Sequence, residues 1–164
     1  MSGLTNSLIA EIKEVLQTAR NNVARQVNAE LLTAYWNIGR IIVEYEQGNK
    51  TRAEYGAQTL KDLSKSLTAE FGKGFSRSNL QNMRAFYLAY PKCQTVSGKL
   101  NWSHICELLS ISDENKRGFY EKETINSRWS VRELHLNFSD HDFAVNIDAL
   151  LSFKNDFEKC LSSN

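Results

Sequence analysis

Residues 51–90 have the sequence TRAEYGAQTLKDLSKSLTAEFGKGFSRSNLQNMRAFYLAY, in which two helical patterns are separated by a glycine turn. Leucines three and four residues apart predict a helix that ends at Phe71. The glycines of Gly72-Lys73-Gly74 permit the positive φ angles of a sharp turn. A second apolar pattern predicts a helix from Arg77 to Tyr90. Two helices joined in this way have the layout of a helix-turn-helix.

Capping signals mark the ends of both helices. Thr51 followed three residues later by Glu54 has the form of a capping box, which predicts the start of the first helix. Ser76 stands where an N-cap is needed for the second helix, and Pro91 closes that helix because proline cannot continue it.

The remainder of the chain is helical in pattern as well. The 164 residues include one proline and eight glycines, and so few helix breakers favour helix throughout. The first block runs from Leu4 to Tyr45, as one long helix or as a hairpin broken at Asn21-Asn22. The other predicted helices cover Trp102–Leu109, Asp113–Ile125, a segment from a capping box at Ser130 to Asn137, and Asp140–Leu161.

These patterns predict an all-α fold of six or seven helices that includes a helix-turn-helix and begins with a long helix or helical hairpin. We expect residues 1–100 to hold the N-terminal helices and the helix-turn-helix. Residues 101–164 would form a second helical subdomain packed against them, so that the chain is one compact unit. The side chains on which stability should depend are Trp36, Leu63, Phe71, Leu80, Trp102, Leu109 and Trp129.

Charge is distributed unevenly along the chain. The net charge is +1, but Arg52 to Lys99 contains eight Lys and Arg against three Asp and Glu. From Leu100 to the end the balance reverses to seven against eleven. A basic middle segment is typical of a face that binds phosphates, although chance clustering on solvated helix faces would give the same counts.

Other functional classes find no support in the residues. The three cysteines have no CxxC spacing, and the three histidines have no metal-ligand spacing, so we expect neither a metal nor another cofactor. No stretch has the apolar length of a membrane span, and the N-terminus lacks the pattern of a signal peptide. A cytoplasmic protein without a membrane partner is the expectation.

The helix from Arg77 to Tyr90 is the candidate recognition helix. On a helical wheel its apolar side chains face one way, while short polar side chains face the other way and could contact base edges. Lysines of the preceding helix and turn could bind phosphates. The predicted nucleic-acid-binding residues are Lys65, Lys73, Arg77, Ser78, Gln81, Asn82 and Arg84. Trp102, His104 and Trp129 are weaker candidates for base stacking, because tryptophans at helix starts are more often packing anchors.

No catalytic residues are predicted. A nuclease of the PD-(D/E)xK type needs an acid followed by an acid-x-Lys pair to hold a divalent metal. Glu11-Ile-Lys13 has the short spacing but lacks an aspartate upstream, and Glu158-Lys159 has the wrong spacing. We therefore expect a protein that is not an enzyme.

Several stretches of the sequence match the motifs of a known family. They are VARQVN (23–28), YWNIGR (35–40), FGKGFSR (71–77), QTVS (94–97), NWSH (101–104) and RWSVREL (128–134). Together they resemble the N-terminal domain of unknown function of the bacterial YhcG-like family, over about Leu8 to Leu136. In that family the domain is followed by a PD-(D/E)xK nuclease domain, which implies a role in DNA processing. No such domain follows Asn164 in this sequence, so a stand-alone protein and a piece of a longer one both stay open.

Three functions remain as alternatives. The first is a DNA-binding module of a nuclease-associated family, with a nuclease subunit as a further partner. The second is a helical protein-interaction or homodimerisation module, supported by the wide apolar arc of the first helix near Trp36 to Val43. The third is a hydrolase with a divergent site.

Overall fold

The computed structural model describes residues 3–48, 53–92 and 99–139, with the backbone alone described for residues 3, 4 and 53–57. Within these ranges the chain has six α-helices and no β-strand, which confirms the predicted all-α fold. A single 3-10 turn, Lys73–Phe75, lies between the second and third helices. The helices are α1 (Gly3–Gly48), α2 (Ala53–Phe71), α3 (Arg77–Ala89), α4 (Trp102–Leu109), α5 (Glu114–Ser127) and α6 (Val131–Ser139).

Helix α1 runs without interruption for 46 residues, so the N-terminal block is a long helix and not a hairpin. The Asn21-Asn22 pair does not break it, because asparagine lowers helix propensity only slightly. The Asn21 side chain also accepts a hydrogen bond from Gln17 Nε2 at 3.0 Å, one helical turn earlier.

Helix α3 lies at the centre of the N-terminal helices and contacts α1, α2 and α4. Its Leu80, Met83 and Phe86 side chains are fully buried. The approach of α1 to α3 depends on Gly39. A Cβ atom at that position would lie 2.0 Å from the carbonyl oxygen of Met83, so no larger residue fits without separating the helices.

Hydrogen bonds and ring contacts fix α1 against the helices that follow. Trp36 Nε1 donates to the carbonyl of Tyr90 at 2.7 Å, and the Trp36 ring packs edge-on against Tyr87. Asn28 Nδ2 donates to the carbonyl of Leu100 at 2.6 Å, just before α4. These two side chains thus join α1 to the end of α3, at Tyr90, and to the residues just before α4, at Leu100.

The chain divides into two compact units, residues 1–109 and residues 110–164. The observed boundary therefore lies one helix later than the boundary predicted between residues 100 and 101, because α4 belongs to the first unit. The reason is Trp102, whose ring packs against Tyr35 at 4.8 Å and against Phe86 at 5.7 Å between centroids. The sequence pattern locates α4 but does not indicate which neighbours it packs against.

The second unit contains α5, which begins one residue later than predicted, and α6, which has the capping box predicted at Ser130. Asp113 accepts a hydrogen bond from the backbone N–H of Lys116 at 2.9 Å and caps α5. Ser130 and Glu133 form the reciprocal bonds of a capping box before α6. Among the described residues of this unit, the buried side chains are Ile111, Tyr120, Thr124 and Leu134.

Phe71 is the clearest error among the predicted core residues, because 62% of it is exposed. It is the last residue of α2, where the chain turns away, and its ring contacts Phe75 alone among the described aromatic rings. Leu80 is buried as expected, while Trp36, Leu63, Trp102, Leu109 and Trp129 are half-buried. The predicted cap at Thr51 and helix Asp140–Leu161 lie outside the described residues.

Two further findings concern the described residues. No helix among them is both long enough and apolar enough to cross a lipid bilayer. In the same ranges, no three His, Cys, Asp or Glu side chains come together in a way that could hold a metal ion.

Candidate nucleic-acid interface

The turn between α2 and α3 is held closed around Gly72. This glycine has φ 89°, in the left-handed region where other residues would be strained. Its backbone N–H donates to the carbonyl of Thr68 at 3.0 Å. The Thr68 hydroxyl in turn donates to the carbonyl of Phe75 at 3.3 Å. The direction in which α3 leaves the turn is therefore fixed by the backbone.

Asn79 connects this turn to both α3 and α4. Its backbone N–H donates to Ser76 Oγ at 3.2 Å, which makes Ser76 the N-cap of α3 as predicted. Its side-chain Nδ2 donates to the carbonyl of Gly74, and its Oδ1 accepts from Trp102 Nε1 at 2.8 Å. One amide therefore fixes the turn, the start of α3 and the first residue of α4 together.

Four predicted contact residues form an exposed group at this end of α3, namely Lys73, Arg77, Ser78 and Gln81. We call these residues the turn patch. Lys73 lies in the 3-10 turn, and the other three lie in the first two turns of α3. The ion pairs Arg40–Glu44 and Arg84–Glu46 involve neither Lys73 nor Arg77. The turn patch therefore presents two cations and two neutral polar side chains to solvent.

The electrostatic surroundings of the turn patch favour an anion. The first turn of α3 contains no acidic residue, and its N–H groups form the positive end of the helix dipole. Residues 71–106 contain no aspartate or glutamate at all, against five Lys and Arg. The acidic residue nearest in sequence to Lys73 is Glu70, which is exposed on α2.

The structure gives Asn82 and Arg84 contacts within the first unit. Arg84 Nε lies 2.7 Å from Glu46 Oε2, which joins α3 to α1 and neutralises both charges. Asn82 Nδ2 lies 3.4 Å from Cys106 Sγ, which joins α3 to α4. Burial raises the pKa of the Cys106 thiol, and the Asn82 contact lowers it by a smaller amount. These two predicted residues thus hold helices together and are not part of the turn patch.

Lys65 is exposed, but it lies on the outer face of α2. Leu60, Leu63 and Leu67 define the inner face of that helix, since Leu60 is buried and the other two pack against the same core. At 100° per residue, Lys65 points almost directly away from them. It can add to the positive potential, but it belongs to a different surface from the turn patch.

The exposed stripe of α3 is narrow, because three helices surround α3. Its polar part ends after Gln81, since Ala85 is half-buried and the next exposed residue, Leu88, is apolar. Contacts to a ligand would therefore come from the N-terminal end of α3. In helix-turn-helix proteins the same end of the recognition helix contacts base edges.

The weaker candidates for base stacking have structural roles in this fold. Trp102 packs against Tyr35 and Phe86, and its indole N–H donates to Asn79 Oδ1. Asn101 Oδ1 accepts from the backbone N–H of His104 at 3.1 Å and caps α4. Trp129 is half-buried after the end of α5, where its backbone N–H donates to a carbonyl of that helix.

Asn79 is the positioning residue that sequence reasoning missed. The available signal was its place three residues after the N-cap serine and five residues after Gly74 of the glycine turn. An asparagine there can bond the turn carbonyl. Its second partner, the Trp102 indole, is 23 residues away and has no local signature.

Comparisons with known proteins bear on this surface. The sequence profile of the family described as DUF1016 N-terminal domain matches residues 11–144. A protein of Escherichia coli (strain K12) with the name "Putative nuclease YhcG" is 39% identical over 155 residues. The match covers 75% of this chain and 41% of that protein, so the chain spans less than half of the relative's length. No solved structure matches the chain significantly.

Proposed function

The chain belongs to the DUF1016 N-terminal domain family, and from this premise we propose that it is the DNA-binding module of a nuclease-associated protein. In this proposal the module has no catalytic activity of its own and brings a nuclease to DNA in the cytoplasm. The relative named as a nuclease supplies the association with DNA cleavage. The membership confirms the resemblance inferred from the sequence motifs.

The observation that carries the proposal is the turn patch at the N-terminal end of α3. Lys73 and Arg77 are exposed cations in a stretch without acidic residues, and the positive end of the α3 dipole lies between them. Backbone phosphates bind such a combination of ammonium, guanidinium and helix N–H groups. Ser78 and Gln81 follow on the exposed side of α3, where hydroxyl and amide groups can bond base edges.

Rigidity of the turn patch supports the same function. Gly72 and Asn79 fix the turn through backbone and side-chain hydrogen bonds, so the patch is organised before a ligand binds. Preorganised contacts lose less conformational entropy on binding than contacts made by a mobile loop. We therefore expect DNA binding to leave the backbone of residues 72–81 unchanged.

The experiment is a fluorescence anisotropy titration of the full chain with labelled duplex, single-stranded and branched DNA at three salt concentrations. Arg77→Ala and Lys73→Ala should each reduce the log–log salt slope by about 0.9, which is the loss of one phosphate contact. Lys122→Ala is the matched control, because it removes one exposed positive charge from α5 in the second unit. Gln81→Ala should change the preference among sequences more than the salt slope.

Two results would reject the proposal. One is the absence of salt-sensitive binding at low ionic strength to any of the three DNA forms. The other is binding that Arg77→Ala and Lys73→Ala weaken no more than Lys122→Ala does. Strand cleavage by the purified chain in the presence of Mg²⁺ or Mn²⁺ would contradict the non-catalytic part alone.

A further inference from the structure

Helix α1 has a second apolar face that is largely exposed in the described part of the first unit. Ten of the thirteen large hydrophobic residues that are exposed among the described residues lie on this helix, 44–69% exposed. At 100° per residue they fall within roughly 160° of the helix circumference. We call them the α1 stripe: Leu8, Ile9, Ile12, Val15, Leu16, Val23, Val27, Leu31, Ile41 and Tyr45.

The α1 stripe is distinct from the face of α1 that packs on α3. The buried residues Leu32, Gly39 and Val43 lie on the opposite side of the helix. In the N-terminal half, every residue from 5 to 27 is exposed. A helix without tertiary contacts is only marginally stable in water, and an apolar face makes its exposure still less favourable.

The C-terminal half of the stripe borders an open groove between α1 and α2. Ile41 and Tyr45 line it from α1, while Leu60, Leu63 and Leu67 line it from α2. The groove has a volume of about 450 Å³, and its walls are almost entirely apolar. It has the width and chemistry to receive an amphipathic helix.

We propose that the α1 stripe is the interface of an antiparallel homodimer, in which the N-terminal half of each α1 covers the groove of the other copy. The proposal is independent of DNA binding. Each chain carries an exposed apolar helix and an open apolar groove, and a two-fold axis lets the helix of each copy fill the groove of the other.

The register of the stripe matches this arrangement. A two-fold axis at Val27 places Val23 opposite Leu31 of the second copy, and Leu16 opposite its Ile38. Ile9 then lies opposite Tyr45, at the far end of the groove. Each of these positions is apolar in this sequence, while Gln26 and Glu30 lie beside Val23, Val27 and Leu31 near the middle of the stripe.

The area is sufficient for a stable dimer. Ten side chains of this size, each about half exposed, present on the order of 800–1,000 Å² of surface per copy, where a standard interface needs about 800 Å² per partner. Interfaces of this size have dissociation constants from micromolar to picomolar, so the dimer should be the main species at concentrations above the micromolar range.

The first test is sedimentation equilibrium of the full chain without DNA at roughly 1–100 μM, where a dimer with a micromolar or lower dissociation constant is detected as such. Val27→Glu places a charge at the two-fold axis twice per dimer, and it should raise the dissociation constant by on the order of 100-fold or more. Thr18→Glu is the matched control, because it adds the same charge at an exposed position on the opposite side of α1. Far-UV circular dichroism should show that both variants retain the helical fold.

The second test distinguishes the antiparallel arrangement from a parallel one. In a background with the native cysteines changed to serine, Leu16→Cys chains mixed with Ile38→Cys chains should form a disulfide-linked heterodimer. Leu16→Cys alone should not cross-link, because a rise of 1.5 Å per residue separates the two copies of position 16 by about 33 Å. A monomeric wild type, equal effects of Val27→Glu and Thr18→Glu, or cross-linking of Leu16→Cys alone would each overturn the proposal.

Discussion

Gly39→Ala isolates the contact between α1 and α3 on which the first unit depends. Considered as a helix residue alone, this substitution should stabilise the protein, because alanine is favoured over glycine in a helix interior by about 1 kcal/mol. In the folded protein, however, the substitution should be destabilising. The added methyl group would lie 2.0 Å from the Met83 carbonyl oxygen and 3.1 Å from Tyr87 Cβ.

The size of the destabilisation depends on the fact that the added Cβ meets a backbone oxygen and not a flexible side chain. Real Cβ atoms stay beyond 3.0 Å from such neighbours, so the two helices must separate by about 1 Å. A backbone oxygen within α3 cannot rotate away as a side chain would. Overpacking costs about 1–3 kcal/mol, and this contact belongs at the upper end of that range. After the gain in helix propensity, a net loss of about 2 kcal/mol remains, which lowers Tm by roughly 10 °C in a unit of this size.

The assay is thermal and urea unfolding followed by circular dichroism at 222 nm, with Gly118→Ala as the control. Gly118 lies inside α5, and no atom would lie within 4 Å of its added Cβ. The control should therefore stabilise its unit by about 0.5–1 kcal/mol, from propensity alone. If Gly39→Ala melts at or above the wild-type temperature, the close approach of α1 to α3 is wrong.

Three further predictions concern single side chains. Asn79→Ala should lower the free energy of unfolding by about 2 kcal/mol, because the indole N–H of Trp102 loses its acceptor; an unchanged urea midpoint would contradict this contact. Burial raises the pKa of the Cys106 thiol, so its alkylation rate, measured with the other two cysteines changed to serine, should keep rising with pH above about 8.5, where an ordinary thiol begins to level off. Hydrogen bonds from Ser130, chiefly its backbone N–H and secondly its side chain, lower the pKa of Glu133. The ionised Glu133 therefore stabilises the folded state above the ordinary carboxyl pKa, and this stabilisation is lost as the pH falls through the lowered pKa. An NMR titration should place the Glu133 midpoint below about 4.3, and Ser130→Ala should raise it only in part, because the backbone N–H of residue 130 still donates; a wild-type midpoint at about 4.3 or above would exclude the capping box in solution.

The candidate site was predicted in part, and the outcome differs from residue to residue. The helical wheel of α3 already places Ser78 and Gln81 away from its apolar side, with Arg77 on the flank, and the glycine turn before α3 leaves Lys73 exposed. The wheel could not show how many other helices would surround α3. That number determines the width of the exposed stripe, and it limits the polar surface to the N-terminal end of α3.

Arg84 shows why the interaction partner of a side chain cannot be inferred from one helix. It follows Gln81 by less than one turn, and its local pattern is that of a solvated cation. Its partner is Glu46, 38 residues earlier in the chain. An interaction over such a distance in sequence depends on how α1 crosses α3, and it has no signature in the residues around Arg84.

The sequence by itself determined where most of the helices lie and where several of them begin or end, while it left α1 open between one helix and a hairpin. Apolar spacing near 3.6 residues, the N-caps Ser76 and Asp113, the capping box at Ser130 and the positive φ of Gly72 act within one or two turns of backbone. Only the tertiary structure decided which face of α1 is covered, why position 39 accepts no residue larger than glycine, and which polar side chains of α3 are exposed. Those outcomes depend on contacts between residues that are far apart in the chain, and such contacts exist only once the helices have packed.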